Sequence, residues 1–336
     1  MKLDANLPPV PLRNLPALAQ AAEAIGFDGL WSTETQHDPF LPLALAASHT
    51  QRISLGTAVA IAFARSPTVL AHTAWDLAEL SGGRFILGLG TQVKAHVERR
   101  FGMPWPESPV RALRESLSVI RSLWQVWQQG GRPNVRGDYY KVTLMTPFFS
   151  PPPQPYPSIP IYIAGVNPGL ARLAGEAADG FVAHPYHSLR YLNEVICPAI
   201  GEGAGAAGRR REEIALSVTA IVASSPEEEQ FARSQLAFYA STPSYRPVMA
   251  LHGWGEVADT LRGLSQRGAW SEMAECISPE MLATFAVLAP EADLPDALAE
   301  RYGGRADRLS LYRPFTPGTD EARWRTLIAQ LRDPPC

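Results

Sequence analysis

The chain has 336 residues, 46% hydrophobic and 19% charged, enough to bury a sizeable core as one large domain or two average ones. A formal net charge of -3 provides no basic field, which excludes an electrostatically driven nucleic-acid partner. No apolar run approaches the roughly 18 residues of a membrane helix, MKLDANLPP lacks a signal-peptide pattern, and Cys197, Cys276 and Cys336 match neither a disulfide framework nor a zinc spacing, so the expectation is a soluble, reduced, cytoplasmic protein.

In chain order, KLDANL (2–7) reads as a first strand, followed by a helical segment from Asn14 to Ile25 that stops at Gly26, a natural C-cap. FDGLWS (27–32) is a second strand, and Pro42 to His49 belongs to a short helix. RISLGTAVAI (52–61) is a third strand. Ser66-Pro67 then supplies the N-cap and first position of a helix running to Leu80. SGG closes that helix, and RFILGLG (84–90) is a fourth strand with more glycine than an ordinary strand carries. A long helix from Pro109 to Gln129 sets Leu113, Leu117, Ile120, Leu123, Trp124 and Trp127 at helical spacing. A hairpin around RGDYYKVTL and the proline cluster SPPPQPYPSIP follow, the cluster being the best linker candidate. IPIYIAG (159–165), PGLARLAGEAAD and GFVAHP (180–185) resume a strand–helix–strand rhythm. EIALSVTAIVA (213–223) is a seventh strand with a helix from Pro226, and RLSLY (308–312) is an eighth before a closing helix from Thr319.

Eight strands mostly separated by helices suit a (β/α)8 TIM barrel of ~250 residues plus insertions. Here it is one α/β domain over residues 1–336, with surplus segments near 91–108, 130–158 and 242–275. A doubly wound open sheet is the rival, because strands buried on both faces look alike in either fold.

In a parallel barrel the C-terminal strand ends form the functional face, and this rule sorts the histidines. His49 and His72 fall inside predicted helices and read as structural, whereas His37, His96, His184 and His187 follow the second, fourth and sixth strands. His252 lies in the late insertion, without an assigned place. STETQHDPF sets Glu34, His37 and Asp38 close together, and a carboxylate beside an imidazole can orient the ring and tune a proton donor. Asp38-Pro39 equally reads as a helix cap. The first strand offers no histidine and no close His-x-His pair occurs, so no metal is expected. GLGTQV (88–93) partly mimics a dinucleotide fingerprint but lacks the third glycine and a convincing apolar helix after it. Glycine at a strand end instead lets backbone lie close against a flat ligand.

The order GFDGLWSTE, ISLGTAV, ARSPTVLAHTAWDLAELSGGRFILGLGTQ, IPIYIAGVNPG and EAADGFV resembles the bacterial luciferase-like superfamily over essentially the whole chain. ETQHDPFLPLALAASHT, AFYASTPSYRPV and LHGWG are most similar to its coenzyme F420-dependent oxidoreductases. The resemblance implies a dimeric (β/α)8 barrel with a flavin or deazaflavin ring at the strands' C-terminal face. It also implies a non-proline cis peptide after the third strand, at Ala58-Val59. It carries cofactor contacts onto Gly90, Thr91, Gln92 and His96, and onto Ala164, Gly165, Val166 and Asn167, where amides of a loop and helix start suit a phosphate-bearing tail. It makes His37 the general acid or base, with Glu34 and Asp38 as helpers.

Val93 stands where the F420-dependent sugar-phosphate dehydrogenases place an acidic catalytic residue. His184 and His187 stand where they place phosphate-binding groups, so these two are expected to meet a substrate other than a sugar phosphate. Phe63, Trp105, Phe148 and Phe149 point to an apolar pocket. The leading expectation is hydride transfer between coenzyme F420 and a small organic substrate by a cytoplasmic homodimer. The alternative on the same barrel is an FMN-dependent monooxygenase using reduced flavin and oxygen. A third reading is a flavin-binding barrel without turnover, and the rim histidines weigh against it.

Overall fold

The computed structural model describes residues 1–319 and 321–332. Its barrel strands are β1 (Lys2–Asn6), β2 (Gly29–Ser32), β3 (Ser54–Thr57), β4 (Phe85–Gly90), β5 (Ile161–Gly165), β6 (Gly180–Ala183), β7 (Ala215–Ala223) and β8 (Arg308–Leu311). Each pairs in parallel with the next, and β1 pairs with both β2 (Asp4↔Gly29) and β8 (Lys2↔Arg308). The sheet therefore closes into a (β/α)8 barrel, and the open-sheet alternative falls. The proline run leads straight into β5, which pairs with β4 at Leu87↔Ile161, so it joins neighbours in one sheet.

The helix boundaries follow from local chemistry. Leu15–Ile25 ends at Gly26, whose φ of 107° is open to glycine and strained for other residues. Pro67–Leu80 starts from Ser66, whose side chain accepts from the Thr68 N–H at 3.2 Å and so satisfies an orphan amide. Pro109–Gln129 buries the predicted stripe from Leu113 to Trp127, and Val135–Arg136 pairs antiparallel with Lys141–Val142 in the predicted hairpin.

Three regions depart from the expected outline. The 242–275 surplus is helical, as Arg246–Ala250, Gly255–Gln266 and Trp270–Glu275. After the further helix Pro279–Phe285, Ala286–Leu288 adds in parallel to the C-terminal end of β7 (Ile221↔Ala286, Ala223↔Leu288). Beyond GLGTQV, Lys94–Arg99 does form a short helix, although only Val97 on it is buried. The closing helix is described over Glu321–Arg332, and Cys336 lies outside the described residues. Among the described residues no helix is long and apolar enough to cross a membrane.

The bore is plugged below the functional face. Asp4 and Arg308, 1% and 4% exposed, share two hydrogen bonds of 2.7 Å, and Trp31 Nε1 donates to the same carboxylate at 2.8 Å. The Arg308 guanidinium also lies 5.4 Å from a Trp31 ring centroid. Burial pushes the Asp4 carboxyl up, while Arg308 and the Trp31 N–H pull it back; the bidentate geometry is that of an ion pair. Trp31, Ile86, Tyr162 and Val182 pack around it, giving whatever lies above a solid floor.

Candidate functional site

Above this floor the inward positions become small: Ala58 after β3, Gly90 at the end of β4 and Ala164 in β5. Eight-stranded barrels are normally filled by bulky side chains. At this level the chain carries small side chains where bulky ones are usual. The Ala58-Val59 peptide is cis, as the resemblance implies.

The glycines of FILGLG answer to this bulge. A Cβ on Gly88 would lie 1.7 Å from the Thr57 carbonyl oxygen, and one on Gly90 would lie 2.6 Å from Val59 Cγ2. Thr57 Oγ1 donates to the Gly88 carbonyl at 2.6 Å and accepts the Gly88 N–H at 2.9 Å. The close approach that these two glycines permit in this structure is to the chain's own segment after β3.

The loop after β2 is fastened to the same segment. Thr33 Oγ1 donates to the Ala58 carbonyl at 3.1 Å, and the Glu34 N–H donates to the Val59 carbonyl at 3.2 Å. Buried Glu34 Oε2 accepts from the Ile61 N–H and from Arg65 Nη1, both at 2.7 Å. Arg65 Nη2 reaches Asp38 Oδ2 at 2.9 Å, and Asp38 Oδ1 accepts from the Phe40 and Leu41 amides at 2.8 and 3.2 Å. Glu34 and Asp38 therefore grip Arg65, and Asp38 also caps the following helix. Their hydrogen bonds go to these partners and not to His37, which stands exposed at the tip of the loop they hold. Arg65 escaped the sequence reading; its only signal is an arginine just past a strand end, in ARSP.

At the end of β4, Gln92 adopts φ 59°, a left-handed conformation that costs a non-glycine residue about 1–2 kcal/mol. Its Oε1 accepts the Val93 N–H at 2.9 Å, a local bond that helps hold the turn. His96 is exposed on the short helix beyond. At the end of β5, Ala164 and Gly165 are half-buried, Val166 is buried, and Asn167 Nδ2 donates to the Ser244 carbonyl at 2.9 Å. The buried Asn167 Oδ1 has no partner, and the helix Pro168–Ala177 opens its free amides beside it.

The two histidines after β6 differ. His187 is 3% exposed, with Nδ1–H donating to the His184 carbonyl at 2.8 Å and Nε2 accepting from the Tyr302 hydroxyl at 3.1 Å. It has no ring nitrogen left for a substrate, so its predicted contact is corrected to a structural one. His184 is half-buried and its Nδ1 accepts the Tyr186 N–H at 3.1 Å, which leaves the proton on Nε2. Burial, aided by the neighbouring imidazole, pushes His184 down to about 3, and burial pushes His187 down to about 4. Both rings are neutral at physiological pH. The unfolded chain protonates them from the ordinary value of 6.5, whereas the folded chain resists until about 4 and 3. Stability is therefore expected to fall as pH drops below 6.5, because the unfolded state takes up protons that the folded state refuses. Urea midpoints between about pH 4 and 7 check this. His187→Gln is expected to flatten the slope, and an unchanged slope would remove His187 from the account.

Of the four aromatics expected in a pocket, Phe63 and Trp105 meet edge-on at 5.8 Å. Phe148 and Phe149 are 89% and 65% exposed on the surface, a correction to that expectation. His252 shares a 2.8 Å hydrogen bond with Ser188 Oγ and stacks on Trp254 at 4.9 Å, which pins LHGWG to the segment after β6. A cavity of about 580 Å³ opens there between Ser188, His252, Leu288 and Arg301. None of the residues at the ends of β2 to β5 lines it.

Three comparisons bear on this geometry. The luciferase-like monooxygenase family profile matches residues 3–308. The uncharacterized protein Rv1360 of Mycobacterium tuberculosis (strain H37Rv) is 44% identical over 315 residues, 92% of each chain. An F420-dependent glucose-6-phosphate dehydrogenase of Amycolatopsis mediterranei is 34% identical over 215 residues, 60% of this chain and 62% of that protein. Among solved structures, the coenzyme F420-dependent tetrahydromethanopterin reductase of Methanopyrus kandleri superposes with a TM-score of 0.78. That match covers 98% of this chain and 97% of that one at 23% identity, a likeness of fold. With a closed barrel and a profile match spanning nearly every strand, the chain belongs to the luciferase-like monooxygenase family.

Proposed function

We propose that the chain is an oxidoreductase transferring a hydride between coenzyme F420 and a small organic substrate. The observation that carries this reading is the small inward side chains of Ala58 and Ala164 above the Trp31 floor, which we read as a slot for a flat ring. The F420-dependent relative supports the identity of that ring. Ala58, Val59, Gly90, Thr91, Gln92 and His96 border it. Ala164, Gly165, Val166 and Asn167, with the amides opening the next helix, would hold its phosphate-bearing tail.

When bound, the deazaflavin supplies or accepts the hydride. His37, on the loop gripped by Arg65, moves the proton at the reacting atom, while the bulge after β3 and the floor keep the ring in place. The same reading makes the enzyme a homodimer, supported by the luciferase-like resemblance, and a cytoplasmic one, supported by its composition. The family's own description as monooxygenases favours the second reading, an FMN-dependent enzyme using oxygen, because the slot suits either tricyclic ring.

Equilibrium binding to F420 and to FMN, read by fluorescence quenching, separates the two. Tight F420 binding with negligible FMN binding is expected, and the opposite result overturns the first reading.

A further inference from the structure

Beside the end of β5, four aromatic side chains from four segments close on one another. His184 follows β6, and its N–H lies 3.4 Å from the Gly165 carbonyl, next to the segment assigned to the cofactor. Its ring meets Tyr239, on the last turn of helix Pro226–Ala240, edge-on at 4.7 Å, and Tyr245, in the turn Pro243–Tyr245, at 5.0 Å. Tyr312, directly after β8, meets Tyr239 at 6.2 Å, with the two hydroxyls 2.6 Å apart. The Asn167–Ser244 bond fastens the turn carrying Tyr245 to the β5 end. Strand alternation aims the set at the mouth. Val182 and Arg308 face the bore, so His184 and Tyr312 lie on the same inward faces.

The polar valences of this rim can be followed one by one. His184 Nδ1 is taken by the Tyr186 N–H, which leaves Nε2–H as a free donor. Tyr312 donates to Gln235 Oε1 at 3.1 Å, so Tyr239 donates to Tyr312 and keeps a lone pair of its own. Burial pushes the Tyr239 and Tyr245 hydroxyls up and the imidazole down, so all three stay uncharged. The cations that adjoin the rim are already engaged: Arg246 on Asp259 at 2.9 and 2.8 Å, and Arg313 on Glu228 at 2.6 Å. An anionic group would find neither of these cations free, and desolvating it here would be costly. An uncharged oxygen finds a donor, and an apolar body finds aromatic faces.

We propose that this rim is the substrate subsite, taking an uncharged carbonyl compound or its alcohol, with the apolar body on Tyr239 and Tyr245 and the oxygen held by His184 Nε2–H. The proposal rests on the F420 reading. In the reducing direction the carbonyl carbon would gain the hydride that bound reduced deazaflavin supplies, the C=O π pair would become a lone pair on oxygen, and that oxygen would take the proton from His37, with His184 Nε2–H remaining its hydrogen-bond donor. The oxidising direction reverses each transfer.

Binding of 2-cyclohexen-1-one and of glucose 6-phosphate, each with and without saturating F420, is measured by calorimetry and saturation-transfer NMR. The enone is expected to bind and the sugar phosphate not. His184→Phe and Tyr245→Ala are each expected to weaken the enone about tenfold, the scale of one hydrogen bond or aromatic contact. Tyr245→Phe keeps the ring and is expected to bind normally. Sugar phosphate binding as well as the enone, or wild-type enone binding in both weakened variants, overturns the subsite. F420 quenching on the same protein separates the two readings. F420 binding without enone binding overturns the subsite alone, and enone binding without F420 binding overturns the cofactor alone.

Discussion

Replacing Arg308 with methionine is expected to destabilise the fold by about 3–5 kcal/mol, the usual cost of stripping one partner from a buried ion pair. The reason is the location of Asp4, whose carboxylate receives both Arg308 bonds and the Trp31 N–H in a site 1% exposed. Without the guanidinium, desolvation is left largely unopposed, and the lone carboxyl is expected to fold in its protonated form. Its folded pKa then lies above the unfolded one. The stability of the variant should therefore be greatest below the ordinary carboxylate range and fall as pH rises through the folded value. Urea unfolding of the wild type, Arg308→Met and the pair Asp4→Leu with Arg308→Met checks this. The double variant is expected to be more stable than the single one, because it leaves no carboxyl to be desolvated and protonated on folding. A single variant within about 1 kcal/mol of wild type would show that the pair is not the keystone of the floor.

His37→Ala is expected to lower hydride-transfer turnover by about 10²–10⁴, the range for losing a general acid or base. The ring is exposed and the loop is held by Glu34, Asp38 and Arg65, so the variant should fold and bind F420 as the wild type does. That split between binding and turnover distinguishes a proton donor from a structural residue. Exposure makes a second readout available: added imidazole is expected to restore part of the lost rate. Turnover with an accepted carbonyl substrate, followed through deazaflavin absorbance, gives the result. Unchanged turnover would take the proton-transfer role away from His37.

The strands are legible because each is short, apolar and bounded by punctuation that works locally, such as Gly26, Ser66-Pro67 and the SGG before Arg84. The floor is not legible. Asp4 and Arg308 meet across 304 residues of chain, and in KLDAN and RLSLY each looks like the polar position of an ordinary strand. Arg65 is hidden for a similar reason, since its partners Glu34 and Asp38 lie across the next strand and offer a more obvious pairing with His37. Ala286–Leu288 has too few residues for any period to show. Phe148 and Phe149 read as pocket residues because aromaticity says that a side chain is apolar and nothing about which side of the chain it faces. The cis bond follows from the family resemblance; an alanine–valine pair carries no such signal by itself.

The circular order of the strands has a practical meaning for redesign. The loops fastened together between β2 and β3 occupy one arc of the mouth, and the tyrosines of the segments between β7 and β8 occupy the arc across from it. The Asn167–Ser244 bond and the His184–Gly165 contact, both at the β5 end, tie the second arc to the segment after β5. Within 242–285 the buried Val248, Met249, Leu261 and Phe285 belong to the common core, so redesign of this arc falls on its half-buried rim residue Tyr245, while the loops after β2 and β3 stay where they are.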